Sequence, residues 1–393
     1  MKKSEAGKKP VMAVIGAGKT GRGFIARLAK DSPYQIVFID NSTELVNKLN
    51  EDGSYAIHFF GGQRPPVSIS GFTAVSSSSQ EAVDYLAQAE LIITSVGEQH
   101  LPQVAETLKN AFALKKTLQR KSPSYVLTCE NGVSPASVLS SCLAGHENEF
   151  EHVYISEAAI FCSTVELADS RLDIVSECYD KLPYDSDRLH GFVGFTGMEA
   201  VSDFKTLLLR KIYTYNCISA CIAYLGAVKG YEMYADAAND PDIRSIIFHV
   251  LNPLNSAICK KLNVDPHVQQ QFSQNALDKF SDANIKDDIP RNARDVIRKL
   301  GPNDRLIAPS VMIMEIKGDY RGLALVIASA LIYGKKHENK LRDMLAADGA
   351  AAVFGQLSGL SEDHPLTAAV VNYYCTLTEY PGDLTTVSLA KLI

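Results

Sequence analysis

The sequence predicts an α/β protein: an N-terminal Rossmann-type doubly wound sheet followed by a mostly α-helical C-terminal domain. Three observations predict it. Short, wholly apolar runs alternate with helix-spaced stretches through the first half, as buried parallel strands and their covering helices do. The first apolar run leads straight into a glycine-rich turn, "AVIGAGKTGRGF" at residues 13–24. Near residues 195–200 the alternation stops and helical spacing takes over. The expected organisation is a disordered tail at 1–10, a dinucleotide-binding domain at 11–196 and a helical substrate and catalytic domain at 197–393.

Taken in order, "VMAVIG" (11–16) is a strand ending in glycine, and "RGFIARLAKD" (22–31) has helical spacing. "YQIVFID" (34–40) is a second strand and "ELVNKLNEDG" (44–53) a helix. "ELIITSVG" (90–97) is another buried strand, "LPQVAETLKNAFALKK" (101–116) a helix and "SYVLTCENG" (124–132) a strand. "SSSSQ" (76–80) and "KKTLQRKSPS" (115–124) are polar connections. Beyond the break, "EAVSDFKTLLLRKIYTYNCISACIAYLGAVKG" (199–230) reads as one long helix. "DIRSIIFHVLNPLNSAICKKL" (242–262), "NARDVIRKL" (292–300) and "GLALVIASALIYG" (322–334) follow as further helical pieces, with breaks expected at Pro and Asn.

A chain of 393 residues is long enough for two domains with separate cores. Its 46% apolar and 21% charged residues are those of an ordinary globular protein. The net charge of −6 argues against nucleic acid or an anionic membrane surface as the main partner. No apolar run of about 18 residues is present to cross a membrane. "MKKSEAGKKP" leads into too short an apolar run for a signal peptide. The eight cysteines contain no zinc-spaced cluster, so no metal is expected, and they suit a reducing cytoplasm. Cys217 and Cys221, four apart on a helix, are expected to be packing residues.

The glycine-rich turn admits two readings. "GKT" ends a nucleoside-triphosphate loop, whereas Gly16, Gly18 and Gly21 form G-x-G-x-x-G, the dinucleotide fingerprint. A triphosphate loop needs its first glycine at Ala13, in the middle of the strand. The dinucleotide reading keeps the strand whole. Gly16 permits the tight turn, Gly18 lets backbone approach a pyrophosphate, and Gly21 lets helix and strand pack closely. The pyrophosphate then rests on the helix N-terminus, where free N–H groups favour anions. Asp40 ends the second strand, near the spacing of the acid that holds a ribose 2′-hydroxyl. Its charge would repel a 2′-phosphate, which favours NAD over NADP. The alternative is a structural turn with Asp40 capping the next helix.

These motifs, together with "GRGFI", "TSVG" (94–97), "CENG" (129–132), "RKIYTYN…AYLG" across 210–226 and "KDD…R…RKL…DRLI" running to Pro309, carry a resemblance. Over residues 11–375 the chain resembles the polyol-specific long-chain dehydrogenases. That resemblance implies a metal-independent nicotinamide enzyme interconverting a polyol, here a hexitol phosphate such as mannitol 1-phosphate, with its ketose. The family's catalytic signature, Lys-x4-Asn-x2-His, falls on Lys211, Asn216 and Ser219, with serine in the histidine's place. At about 100° per residue these three lie within an arc of about 140°, on one side of an otherwise apolar helix. A second departure lies at "IFCSTVEL" (160–167). Cys162 takes the usual Asp/Asn position there, and Glu166-Leu167 the usual Asp-Arg pair.

The resemblance assigns the base to Lys211. An ordinary lysine near pKa 10.4 is almost wholly protonated at neutral pH, so it must be lowered toward roughly 7–8 by burial or a nearby cation. Asn216 can donate an N–H to the developing alkoxide, and Ser219 can donate too. Val96 in "TSVG", and Glu130 and Asn131 after a strand C-terminus, are expected to line the cofactor. A substrate phosphate would need cations. "RNARDVIRKLGPNDR" offers Arg291, Arg294, Arg298, Lys299 and Arg305, of which Arg294, Arg298 and Arg305 are the candidates. An exposed basic helix or salt bridges would explain the same residues. Alternatives are a family member acting on a free polyol or sugar acid, or a non-catalytic NAD-binding protein.

Overall fold

The computed structural model describes residues 9–132, 134–145 and 151–393. The expected tail at 1–10 therefore lies, up to residue 8, outside the described residues. The chain divides into two compact units, Met1–Lys205 and Thr206–Ile393.

The first unit is built on six strands: β1 (Val11–Ile15), β2 (Gln35–Asp40), β5 (Thr73–Ser76), β6 (Ala89–Thr94), β7 (Ser124–Thr128) and β8 (Val153–Glu157). They form one parallel sheet in the order β5-β2-β1-β6-β7-β8. The order reverses between β1 and β6, and ligands of open α/β sheets bind at such a switch point, beyond the strand C-termini. Alternate residues of β1 feed two cores. Met12 and Val14 pack with Phe24, Phe38 and Leu127 on one face, and Val11, Ala13 and Ile15 with Val37, Ile92 and Phe112 on the other. The helices α1 (Ala26–Ala29), α2 (Thr43–Asp52), α3 (Gln80–Gln88), α4 (Leu101–Thr117) and α5 (Pro135–Leu143) alternate with the strands. Ser42 and Ser79 cap α2 and α3 by accepting from Leu45 N and Ala82 N, both at 3.2 Å.

The sequence pattern did not reveal a second, mixed sheet. It contains β3 (Ser54–Phe59), β4 (Val67–Ser70), β9 (Thr164–Glu166) and β10 (Ile174–Ser176), in the order β4-β3-β10-β9. Nor did it reveal the parallel pair β11 (Leu182–Asp185) and β12 (Met198–Val201). The pairing of β12 corrects the expected boundary at 196/197: residues 198–201 hydrogen-bond into the first unit, and the division falls between Lys205 and Thr206.

The second unit is helical. It comprises α6 (Phe204–Lys211) from its third residue, α7 (Cys217–Val228), α8 (Tyr234–Asn239), α9 (Pro241–Leu262), α10 (Pro266–Ser281), α11 (Ile289–Ala293) and α12 (Val296–Lys299). There follow α13 (Ile307–Glu315), α14 (Arg321–His337), α15 (Asn339–Ser358) and α16 (Pro365–Thr378). The expected long helix over 199–230 begins only at Phe204 and is interrupted by a π-helical turn, Ile212–Asn216. Pro253 sits inside α9 without ending it. "NARDVIRKL" is not one helix, because Asp295 adopts a left-handed conformation (φ 64°) between α11 and α12. Cys217 and Cys221 are wholly buried, as packing residues are. Among the described residues no helix is long and apolar enough to cross a membrane.

Candidate functional site

In the first unit, Gly16 follows β1 at φ 96°, a conformation that side-chain-bearing residues rarely adopt. A Cβ on Gly21 would lie 2.1 Å from the Gly16 carbonyl oxygen, so only glycine allows this approach of helix to turn. A Cβ on Gly18 would meet nothing within 4 Å. Gly21–Ile25 form a π-helical turn ahead of α1. Arg22, 3% exposed, braces the loop from below. Its Nε donates to the Ala17 carbonyl at 2.7 Å, its Nη1 to Leu172 O, and its Nη2 lies 3.5 Å from the Glu166 carboxylate.

Gly16, Gly18, Asp40 and Val96 come together around a cavity of about 430 Å³ at the switch point. His100, Gln103 and Thr107, along one face of α4 and the turn before it, complete one wall. Asp40 Oδ2 accepts from Ala17 N at 2.7 Å and Oδ1 from Ser42 N at 2.8 Å. Asp40 thus ties the glycine turn to β2. Each oxygen keeps a lone pair for a further donor, such as a ribose hydroxyl. The helix cap here is Ser42, not Asp40. The open Gly18 and the acid at the rim fit a nicotinamide dinucleotide: pyrophosphate at the glycines, ribose at Asp40.

Glu130 is 5% exposed, and its place is inside the loop rather than along this cavity. It accepts from Thr94 Oγ1 (2.9 Å), Val96 N (3.0 Å) and Gly97 N (2.7 Å), which locks the turn after β6. Asn131 is exposed and also lies apart from that cavity. Cys162 is buried, with Sγ 3.3 Å from Ser176 Oγ, while Glu166 is the exposed partner of Arg22. The His100/Gln103/Thr107 wall was not singled out from sequence. Its signal is three polar side chains spaced three and four apart at the start of an amphipathic helix.

In the second unit, Lys211 is 5% exposed at the end of α6, and Asn216 and Ser219 are half-buried. The π turn between Lys211 and Asn216 changes their geometry. In a regular α-helix residues five apart point about 140° away from each other. A turn closed by i→i+5 hydrogen bonds winds more slowly and narrows that angle to about 50°. The two polar side chains are thereby turned toward one side of the helix. The Ser219 carbonyl accepts from Tyr234 Oη at 3.3 Å.

The arginines expected to hold a phosphate form an alternating ion-pair chain. Arg294 Nε lies 3.9 Å from Asp295 and Arg298 Nη2 lies 3.7 Å from it. Asp304 accepts from Arg298 Nη1 at 3.1 Å and from Arg305 Nε at 2.7 Å. Arg291 pairs with Asp287 at 3.1 Å. Lys299 is buried beside this chain and donates to Asn292 O at 2.5 Å. Among the described residues no three His, Cys, Asp or Glu side chains are grouped as a metal site.

The mannitol dehydrogenase Rossmann domain matches residues 12–167 and the mannitol dehydrogenase C-terminal domain residues 203–381. The chain belongs to the mannitol dehydrogenase family. Within this family it is similar to mannitol-1-phosphate 5-dehydrogenase of Geobacillus stearothermophilus, 30% identical across 91% of this chain and 97% of that one. The mannitol-1-phosphate 5-dehydrogenase of Geobacillus thermodenitrificans is 29% identical, across 92% of this chain and 97% of the relative. The mannitol dehydrogenase fold is shared with a Pseudomonas fluorescens mannitol 2-dehydrogenase solved with NAD and D-mannitol. The TM-score is 0.76 at 16% identity, covering 98% of this chain and 95% of that one. A D-sorbitol dehydrogenase in substrate-free form gives a TM-score of 0.75 at 15% identity, covering 97% and 96%. Family and fold thus agree with the resemblance read from the sequence, and the chain is an oxidoreductase of the polyol dehydrogenase type.

Proposed function

We propose that this protein is an NAD-dependent dehydrogenase that interconverts a polyol phosphate of the mannitol 1-phosphate type with the matching ketose phosphate, using Lys211 as its base. The observation that supports the reading is the match of the helical unit to the mannitol dehydrogenase C-terminal domain, with a π turn between Lys211 and Asn216. Bound NAD supplies the hydride acceptor. Lys211 Nζ takes the hydroxyl proton as the carbinol C–H bond breaks. The Asn216 amide donates an N–H to the oxygen as it gains charge, a contact of a type typically worth about 3 kcal/mol. Ser219 donates alongside but cannot carry the charge an imidazole would. NAD rather than NADP is supported by Asp40, whose carboxylate meets a ribose hydroxyl favourably and a 2′-phosphate unfavourably.

The phosphate is supported by the named relatives and by Arg298 and Arg305 standing together around Asp304. A free polyol is the second reading, favoured by the carboxylate already paired with each arginine of that chain. A panel of hexitols and hexitol phosphates, with NAD and NADP, tests both. The proposal expects NAD-linked turnover and a kcat/KM at least about tenfold higher for the phosphorylated hexitol. Equal or better use of the free polyol would replace it with the second reading, and NADH binding without turnover would remove catalysis.

A further inference from the structure

We infer that Gln269 is a positioning residue, which holds the helix on either side of Lys211 and so sets where that lysine points; this rests on the reading of Lys211 given above. Gln269, on α10, is completely buried, and its amide uses both ends. Oε1 accepts from Arg210 Nε at 3.0 Å. Nε2 donates to Thr214 Oγ1 at 2.9 Å and to Asn255 Oδ1 at 3.1 Å. One side chain thus grips the residue before Lys211 and the residue three after it.

The grip is itself held. Ser273 Oγ donates to Asn255 Oδ1 at 2.6 Å, which fixes the asparagine as an acceptor for Gln269. The Arg210 guanidinium lies 4.4 Å from the Phe272 ring centroid and donates to Val268 O at 3.4 Å. Thr214 is completely buried within the π turn, so without Gln269 its hydroxyl would lose this partner away from water. A π turn is rare because regular helix is the better-bonded alternative. Tethers at Arg210 and Thr214 fix the helix on either side of Lys211, so their loss frees the π turn and with it the direction of the lysine.

The test compares wild type with Gln269→Leu, Gln269→Glu and Thr214→Val in the full chain, read by kcat, KM, the pH profile of kcat/KM and amide hydrogen exchange across residues 211–217. Gln269→Leu is expected to lower kcat at least tenfold, leave the KM for NAD within twofold, shift the basic group of the pH profile and speed exchange in the turn. Gln269→Glu, which still accepts from Arg210 and from the Thr214 hydroxyl but sets its carboxylate against Asn255 Oδ1, should recover part of that kcat. Thr214→Val, which removes one tether only, should fall between them, and it serves if Gln269→Leu fails to fold. Unchanged kcat and pH profile in Gln269→Leu or Thr214→Val, even with a lower Tm, would reduce Gln269 to a packing residue and overturn the inference. If wild type turns over no polyol, the functional reading fails by itself. Exchange in the turn then decides the clamp alone, and a rate unchanged in Gln269→Leu overturns it.

Discussion

In the proposed reading Asp40 carries two tasks on one carboxylate, and one substitution removes both. Asp40→Ala removes two backbone hydrogen bonds as well as the ribose acceptor. NAD binding is expected to weaken at least tenfold and the preference over NADP to narrow, as measured by titration with both cofactors. Equal use of NADP by the wild type would contradict this role. Ser219 poses the question of substrate. Ser219→Ala should cost about 1 kcal/mol in turnover if one hydrogen bond is lost. Ser219→His is expected to lose activity on the true substrate, because the imidazole is larger than the hydroxymethyl group it replaces on a half-buried position. A Ser219→His enzyme that outperforms wild type on mannitol 1-phosphate would reverse that expectation. Asp40 was legible because an acid ending the second strand is a local signal. The task of Glu130 was not, because its partners Thr94, Val96 and Gly97 lie more than thirty positions away and meet it only in the folded loop.

At the scale of elements, the two glycines of the turn make opposite predictions. Gly21→Ala puts a methyl group 2.1 Å from Gly16 O, so helix and turn must separate. Both the Tm and NADH affinity should fall, the Tm by several degrees. Gly18→Ala meets no protein atom within 4 Å, so the fold should keep its Tm while NADH affinity falls, since the methyl group enters the cavity. A Tm loss in Gly18→Ala equal to that in Gly21→Ala would contradict this division of labour. The glycine turn could be read because Gly16 and Gly21 answer steric demands within the turn itself. The π turn at Ile212–Asn216 could not, since its register is tied to Gln269, 55 positions from Thr214. The sequence reads residues 199–201 as helical for the same reason: what makes them strand is their pairing with Pro183, Tyr184 and Asp185.

At the scale of the whole molecule, stability should depend on pH through Lys299. Burial, reinforced by Arg305 and Arg298, lowers its amine to about 7. Between about pH 7 and about pH 10 the unfolded lysine keeps its proton while the folded one has lost it, so the unfolded state binds more protons and stability rises with pH. The contribution is at most about 1.4 kcal/mol per pH unit. Lys299→Met should flatten that slope in denaturation series across this range, and an identical slope in the variant would exclude the effect. The family and the two-part architecture were legible because separated motifs recur in order along most of the chain, from "GRGFI" to "DRLI". Salt bridges are one reading of Arg294, Arg298 and Arg305 in the sequence, but their partners Asp295 and Asp304 are fixed only by how the chain folds back between α12 and α13. The central claim, an NAD-linked polyol phosphate dehydrogenase with a lysine base, is tested most directly by the initial rate of NADH formation from NAD and mannitol 1-phosphate, in wild type and in folded Lys211→Ala. Robust turnover by wild type, lowered at least about a hundredfold in Lys211→Ala with NADH binding intact, is the result expected. Turnover in Lys211→Ala comparable to wild type, or none in wild type, would contradict it.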